Sequence, residues 1–354
     1  MQLNELFKRV VDKNASDLHI KVPSPPVLRI EGVLIPQEDL PPLEPKDVEF
    51  IFEQVTTDEQ RAAFLREHEL DFAYSVPGLA RFRVNALIQR GSMSLAFRTV
   101  PRDVPSIDEL ELPQICKELI LKPSGLVLVT GAAGSGKSTT LAAMINHLNK
   151  NAKRNVITIE DPIEYLFRDE QCIIHQRELG NDTRAFSTAL IHALRHDPDV
   201  VVIGELRDLT TISVAMTAAE TGCLVLGTLH TIDAPQTIDR IVDVYPAIQQ
   251  RQVRLQLSQV IEAILSQKLL SRIEGGRIAA VEIMVANSVI RRLIRDEQIF
   301  EIHSNMMYDK VMQTMDQALA NLANNKIVAW EEALANSNAP ISLQRLVQHD
   351  MAAA

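Results

Sequence analysis

The sequence predicts two domains: an α+β unit over residues 1–100, then an α/β unit built on a mostly parallel sheet. Three observations carry that expectation. Residues 131–139 read Gly-Ala-Ala-Gly-Ser-Gly-Lys-Ser-Thr, between the apolar run Leu126 to Val129 and the helix-like stretch Leu141 to Ile145. From Cys116 onward, strand and helix patterns alternate, which implies parallel strands with helices on both faces. Before residue 100 the patterns are blocked instead, and Pro101, Pro105 and Pro113 punctuate a charged stretch after them. We read residues 101–112 as a linker and 113–354 as the second domain, because such compositions are extended and exposed.

Taken in order, Leu3, Leu6, Phe7, Val10 and Val11 recur at helical spacing over residues 3–13. Strand-like pieces follow at 17–22, 27–30 and 33–35, set off by Pro23, Pro25, Pro26, Gly32 and Pro36. Helical patterns cover 45–54 and 57–67. Strands are expected at 70–75, 80–89 and 92–99, the first two joined by a Pro77-Gly78 turn. In the second domain strands are expected at 126–130, 155–159, 171–175, 199–203 and 223–228, with helices between most of them. Beyond Pro246 the patterns are mainly helical, at 249–264, 288–295, 308–322 and 330–336. Strand-like pieces at 268–271 and 277–283 flank Gly275-Gly276. The Ala352-Ala353-Ala354 end is expected to fray.

The segment 131–139 is G-x-x-x-x-G-K-[ST] in the setting the motif requires, strand, turn and helix. Backbone N–H groups of such a loop cradle phosphate oxygens, and the helix N-terminus behind them favours negative charge. Gly131, Ala132, Ala133, Gly134, Ser135, Gly136, Lys137, Ser138 and Thr139 are therefore the expected nucleotide contacts. Lys137 is expected on the β- and γ-phosphates and Ser138 on Mg²⁺. The implied ligands are ATP and Mg²⁺.

Asp199 to Glu205 reads as a buried strand delivering an acid to the same edge. Gly204 stands where many phosphate-loop enzymes carry a first acid, so Glu205 is assigned to Mg²⁺ through water. The attacking water then needs another base. Glu160, Asp161 and Glu164 follow the 155–159 strand, on the edge where ligands sit in such sheets. Glu164 is the chosen base and Glu160 the alternative. His230 follows the strand at 223–228 and is placed to sense the γ-phosphate. Positive charge for the transition state has five candidates: Arg195 and Arg207 flanking the 199–205 strand, and Arg81, Arg83 and Arg98 on strands of the first domain. The last three reach the phosphates only through domain closure or a neighbouring subunit.

Formal net charge is −10, which argues against nucleic acid as the main partner. Cys116, Cys172 and Cys223 form no C-x-x-C pair, so neither a zinc knuckle nor a redox dithiol is indicated. No run of 18 apolar residues spans a membrane and no signal-peptide pattern opens the chain. These readings place the chain in the cytoplasm.

Together these segments resemble the secretion and type IV pilus motor ATPases. The phosphate loop, Glu160-Asp161-Pro162-Ile163-Glu164-Tyr165, and Gly204-Glu205 with Leu206-Arg207-Asp208 stand in that family's order and spacing. So does Ala218-Ala219-Glu220-Thr221-Gly222, running into Gly227-Thr228-Leu229-His230-Thr231. Ala15-Ser16-Asp17-Leu18-His19 and Arg81-Phe82-Arg83-Val84-Asn85 also resemble it, so the likeness covers essentially the whole chain. It is closest to the pilus retraction (PilT-like) ATPases, because residues 289–296, Val-Ile-Arg-Arg-Leu-Ile-Arg-Asp, are similar to their A-I-R-N-L-I-R-E segment.

The resemblance implies a PAS-like N-terminal domain, a RecA-like ATPase domain with a helical C-terminal part, and a homohexameric ring. It implies Arg83 and Arg98 reaching ATP, an inner-membrane pilus platform protein as partner, and a place at the inner face of the cytoplasmic membrane. A paralogous pilus ATPase is a further partner it suggests. Three departures stand out: Ala132-Ala133 for Pro-Thr, Cys223 for His, and substitutions at Val289, Arg292 and Asp296. A pilus-assembly or type II secretion ATPase of the same fold would carry a four-cysteine zinc site, which the sequence lacks. A non-catalytic ATP-binding partner of a paralogous motor is opposed by Lys137, Glu164, Glu205 and His230.

Overall fold

The computed structural model describes residues 3–101 and 103–353, with side chains as far as residue 347. The chain divides into two compact units, Met1–Arg102 and Asp103–Ala354. In the first, α1 (Leu3–Asp12) precedes β1 (Asp17–Lys21), β2 (Val27–Ile30) and β3 (Val33–Pro36). Next come α2 (Pro45–Val55), α3 (Asp58–Glu67), β4 (Glu69–Val76), β5 (Ala80–Gln89) and β6 (Ser92–Thr99). The strands form one antiparallel sheet in the order β3-β2-β1-β6-β5-β4.

Period-two alternation sorts the residues of β5. Phe82, Val84 and Ala86 are buried on one face, while Arg81, Arg83 and Asn85 take the other. On the buried face α1 inserts Leu6, Phe7 and Val10. Phe7 stacks on Phe82 with ring centroids 4.6 Å apart and meets Phe97 edge-on at 5.3 Å. The caps account for the two later helices. Pro45 starts α2, and Thr57 and Gln60 exchange hydrogen bonds at the start of α3.

The second unit runs α4 (Ile115–Ile120), β7 (Gly125–Thr130), α5 (Lys137–Asn151), β8 (Asn155–Glu160), β9 (Ile173–Glu178) and α6 (Phe186–Ala193). It continues with β10 (Val200–Ile203), α7 (Leu209–Glu220), β11 (Leu224–Leu229), α8 (Ala234–Asp243) and α9 (Ala247–Val260). The outer strands β12 (Ile261–Ser271) and β13 (Arg277–Val285) follow. Then come α10 (Ser288–Arg295), a 3₁₀ turn at Ile299–Glu301, α11 (Ile302–Tyr308), α12 (Met315–Asn324), α13 (Trp330–Asn336) and α14 (Pro340–Ala353).

Its sheet has the order β13-β12-β7-β11-β10-β8-β9, parallel throughout except between β12 and β13. Successive β7 residues enter opposite cores, Leu126 and Leu128 one and Val127 and Val129 the other. That two-sided burial is why these strands read as unbroken apolar runs. The last helices, α12 to α14, pack a third cluster with Leu270, Ile278 and Ala280 at the far ends of β12 and β13.

Four expectations need correction or completion. The helix expected over 249–264 stops at Val260, because Ile261, Ala263, Ile264 and Leu265 are buried in a strand beside β7. A short apolar run does not distinguish a buried strand from a buried helix. The helix expected over 308–322 starts only at Met315. Gln313 exchanges backbone hydrogen bonds with Ile283 at 2.7 and 3.0 Å, and Thr314 then caps α12 with Gln317. The expectation of helices between most of the strands is completed by a loop between β8 and β9. In the stretch read as linker, Ile107 and Leu112 are buried in the second unit's core. The fraying expected at Ala352-Ala353-Ala354 falls where side chains, and Ala354 altogether, lie outside the described residues.

Candidate functional site

The site begins at the corner between β7 and α5. Gly131 (φ +138°) has to be glycine, because a Cβ there would lie 2.4 Å from the Gln267 carbonyl oxygen and 2.6 Å from Ser135 Oγ. Gly136, at φ +91°, occupies the N-cap of α5 and supplies no side-chain cap. The first N–H groups of a 15-residue helix therefore face the loop, where they and the helix dipole suit an anion. Ser135 Oγ is buried without a hydrogen-bond partner among the described residues. An orphaned hydroxyl in a glycine-rich cradle fits a phosphate ligand.

Lys137 is buried at the start of α5 and bends over its own loop. Its Nζ donates to the carbonyls of Gly131 at 2.8 Å and Ala132 at 2.9 Å, and lies 3.5 Å from His230 Nδ1. Burial pulls its ammonium below the usual lysine range, and the Glu205 charge opposes the shift. Thr139 Oγ1 sits 3.2 Å from the Tyr165 hydroxyl, which joins the loop helix to the acidic segment.

That segment leaves β8 at Glu160 and turns through a cis Asp161-Pro162 peptide. Burial raises the Glu160 carboxyl, although Thr158 Oγ1 donates to it at 2.6 Å and Gln176 Nε2 at 3.1 Å. Glu164 stands half-buried four residues on, its N–H 3.4 Å from Glu160 Oε2. Two side chains of β9 hold the turn. Gln176 donates to the Tyr165 carbonyl and accepts from Phe167 N–H, and Glu178 accepts from Ile163 N–H at 3.1 Å. Sequence reasoning missed Gln176 and Glu178. Their signal was faint: two polar residues in an outer strand.

At the end of β10, Glu205 is gripped from two sides. Arg207 Nη2 lies 2.6 Å from Oε2 and His230 Nε2 3.3 Å from Oε1. Burial pulls Glu205 upward, but the Arg207 hydrogen bond and charge, with His230, outweigh it and hold the carboxyl below its usual range. Asp208 caps α7 by accepting from Thr211 N–H at 2.9 Å, which fixes the turn carrying Arg207. Asp233 caps α8 just past His230.

Ser138, Glu160, Glu164, Glu205 and Arg207 line one cleft, so the fold brings these expected residues together, and His230 joins them through Glu205. Ser138 and an ionised Glu205 form a donor set suited to Mg²⁺, which keeps most of its waters and phosphate oxygens. Among the described residues no group of three or more His, Cys, Asp and Glu could hold a metal. Arg195 is a correction. It is exposed in the connection that enters β10 at its amino end, the edge opposite the phosphate loop. Cys223 sits on that same far edge at the start of β11, its Sγ 3.3 Å from the Pro198 carbonyl. Arg83 and Arg98 are cross-strand neighbours on the polar face of the first unit's sheet, where Arg98 Nε donates to Asp17 Oδ1 at 2.8 Å.

The helix at 288–295 forms as expected; helical spacing alone would put Val289, Ile290, Leu293 and Ile294 on an apolar side and Arg291, Arg292 and Arg295 on a basic one, but Val289 is exposed and Arg291 is not free. Its guanidinium donates to the carbonyls of Ala286, Ser258 and Gln259 and to Glu262 Oε1, so it closes the end of α9. Arg292 and Arg295 are exposed.

Residues 79–275 match the family described as Type II/IV secretion system protein. The chain is 44% identical over 342 residues to the type IV pilus retraction ATPase PilT of Pseudomonas aeruginosa, covering 96% of this chain and 99% of that one. It is 45% identical over 311 residues to a twitching motility protein of Neisseria gonorrhoeae, covering 87% and 83%. Its fold superposes with a TM-score of 0.89 on a crystal structure of the pilus retraction motor PilT with bound ADP, at 43% identity over 98% of this chain and 99% of that one. The ATPase DotB of Legionella pneumophila gives 0.81 at 26% identity, over 94% of each. Among the described residues no helix is long and apolar enough to cross a membrane.

Proposed function

Because the chain belongs to the type II/IV secretion system protein family, we propose that it is a motor ATPase that hydrolyses ATP to drive type IV pilus retraction and hence twitching motility. The observation that carries this reading is the cleft itself. A phosphate loop with a free helix N-terminus faces three acids from the β8 turn, Glu160, Asp161 and Glu164, and a fourth, Glu205, from the end of β10.

Residues 131–139 cradle the phosphates, and Lys137 exchanges the carbonyls of Gly131 and Ala132 for β- and γ-phosphate oxygens. Mg²⁺, when held by Ser138 and Glu205, supplies charge neutralisation at the phosphates. Glu164 draws the proton from the attacking water. Glu160, bound up with Thr158 and Gln176, fixes the turn that aims it. His230 reads the γ-phosphate through its contacts with Lys137 and Glu205 and passes the reading to α8. Arg207 offsets charge in the cleft, and Arg83 and Arg98 add to it from the first unit.

We read the first unit as PAS-like and the second as RecA-like with a helical C-terminal part. The working form is a homohexamer at the inner face of the cytoplasmic membrane. There it acts on an inner-membrane pilus platform protein, alone or with a paralogous pilus ATPase. Two measurements test the reading. Lys137→Ala should lower steady-state ATP turnover by on the order of 10³. Deleting the gene should raise the number of surface pili and abolish twitching; fewer pili would mean assembly instead.

A further inference from the structure

Glu282 lies in the middle of β13, 1% exposed. Its Oε1 accepts the Ala234 N–H at 2.9 Å and its Oε2 the Met315 N–H at 3.3 Å. Ala234 is the first residue of α8 and Met315 the first of α12. On β12, Ser266 Oγ donates to Glu282 Oε1 at 3.4 Å and accepts from Thr130 Oγ1 at 3.1 Å. Thr130 is the last residue of β7 and directly precedes Gly131, and α8 starts just beyond His230. One carboxylate therefore ties the foot of the phosphate loop and the segment carrying His230 to the first turn of the C-terminal helices.

Resting on the ATPase reading above, we propose that Glu282 is a positioning residue for hydrolysis. Its carboxylate holds two helix N-termini and, through Ser266, the foot of the phosphate loop in the register the reacting groups require. The two accepted bonds come to different oxygens, which only a carboxylate satisfies in full. Glutamine would turn an NH₂ toward one of the two N–H groups. An ionised carboxylate is also a costly way to fill a buried site, so stability alone does not explain it.

Burial pushes Glu282 up to about 7, with the Asp233 charge adding to the shift and the Ala234 and Met315 bonds opposing it. The charged groups around it are Asp233 at the cap of α8, Lys268 on β12 and Asp316 on α12. Because the folded value is raised, stability falls as pH climbs from the ordinary carboxylate range to about 7 and is level above it. Around about 7 the carboxyl gains the full second acceptor that the register needs. Wild-type turnover is expected to rise through neutral pH as a result.

The test compares full-length wild type, Glu282→Gln and Ser266→Ala by kcat and KM for ATP across pH and by thermal unfolding at about pH 8. Glu282→Gln is expected to lower kcat by about tenfold with KM within about twofold. It should lose the rise through neutral pH and unfold no earlier than wild type. Ser266→Ala, which leaves both helix N-termini capped, should lower kcat by about threefold and keep the rise. Wild-type kcat in Glu282→Gln overturns the proposal, as does a loss of kcat that tracks a loss of unfolding temperature. Should Glu282→Gln fail to fold, a Ser266→Ala enzyme with wild-type kcat overturns it. An inactive wild type would instead overturn the ATPase reading.

Discussion

Gly204 shows why Glu205 stands without an acidic neighbour. A Cβ at 204 would lie 3.1 Å from the Ile159 carbonyl oxygen and 3.3 Å from Glu160 Cα. A side chain there would have to push the backbone at the end of β8 by a few tenths of an ångström, so glycine gives β10 its close approach to the turn that carries the acids. The sequence displayed the acids and set Glu164 as base ahead of Glu160, without the hydrogen-bond partners that distinguish them. Only the fold reveals that Thr158 and Gln176 occupy Glu160, and Gln176 arrives from a strand that the pattern placed a few residues early. Glu164→Gln should keep ATP affinity and lose about 10²–10⁴ in kcat, since the amide has the shape without the basicity. Glu160→Gln should lose no more than about tenfold, because an amide oxygen can take the Thr158 and Gln176 bonds, which both come to Oε1, and only the long 3.4 Å bond from the Glu164 N–H to Oε2 is lost. Single-turnover hydrolysis after measured ATP binding separates the two, and the reverse ranking would move the base to Glu160.

The helix α10 was legible as an amphipathic segment, with Ile290, Leu293 and Ile294 buried as the periodicity required. What its sequence hid was the role of Arg291, because the carbonyls it serves belong to the end of α9, some thirty positions upstream. An arginine satisfying the last turn of another helix is a structural part. Arg291→Ala should thus destabilise the protein by about 1–3 kcal/mol, read as a shift in denaturant midpoint. Arg292→Ala with Arg295→Ala touches only exposed positions. It should leave unfolding and ATP turnover unchanged while stopping pilus retraction in cells. Normal twitching in that double variant would show that the exposed arginines of α10 have no part in retraction, and a proportional loss of ATPase would make their role chemical. The strand β12 was misread for a related reason. Its identity depends on lying against β7, a neighbour that local patterning does not contain.

Each unit carries its own apolar core, one in residues 3–97 and three clusters beyond residue 106. That division was readable from the change of pattern near residue 100. The fragment 103–354 should accordingly fold and bind ATP, since the loop, the acids and His230 all lie within it. If Arg83 and Arg98 serve the phosphates as proposed, it should hydrolyse ATP poorly without them. Full turnover by the fragment would show that the first unit adds nothing to the chemistry.

The strand order has a consequence for biosynthesis. The phosphate loop leaves the ribosome early, but β7 is flanked by β11 (Leu224–Leu229) and β12 (Ile261–Ser271). Both walls of the loop, including the Gln267 carbonyl under Gly131 and the Ser266 hydroxyl on Thr130, come from chain made much later. Sheets paired over such sequence distances close slowly and late. A nascent chain that has emerged only as far as α9 therefore displays the whole nucleotide signature before the β12 wall against which Gly131 and Thr130 pack has been made.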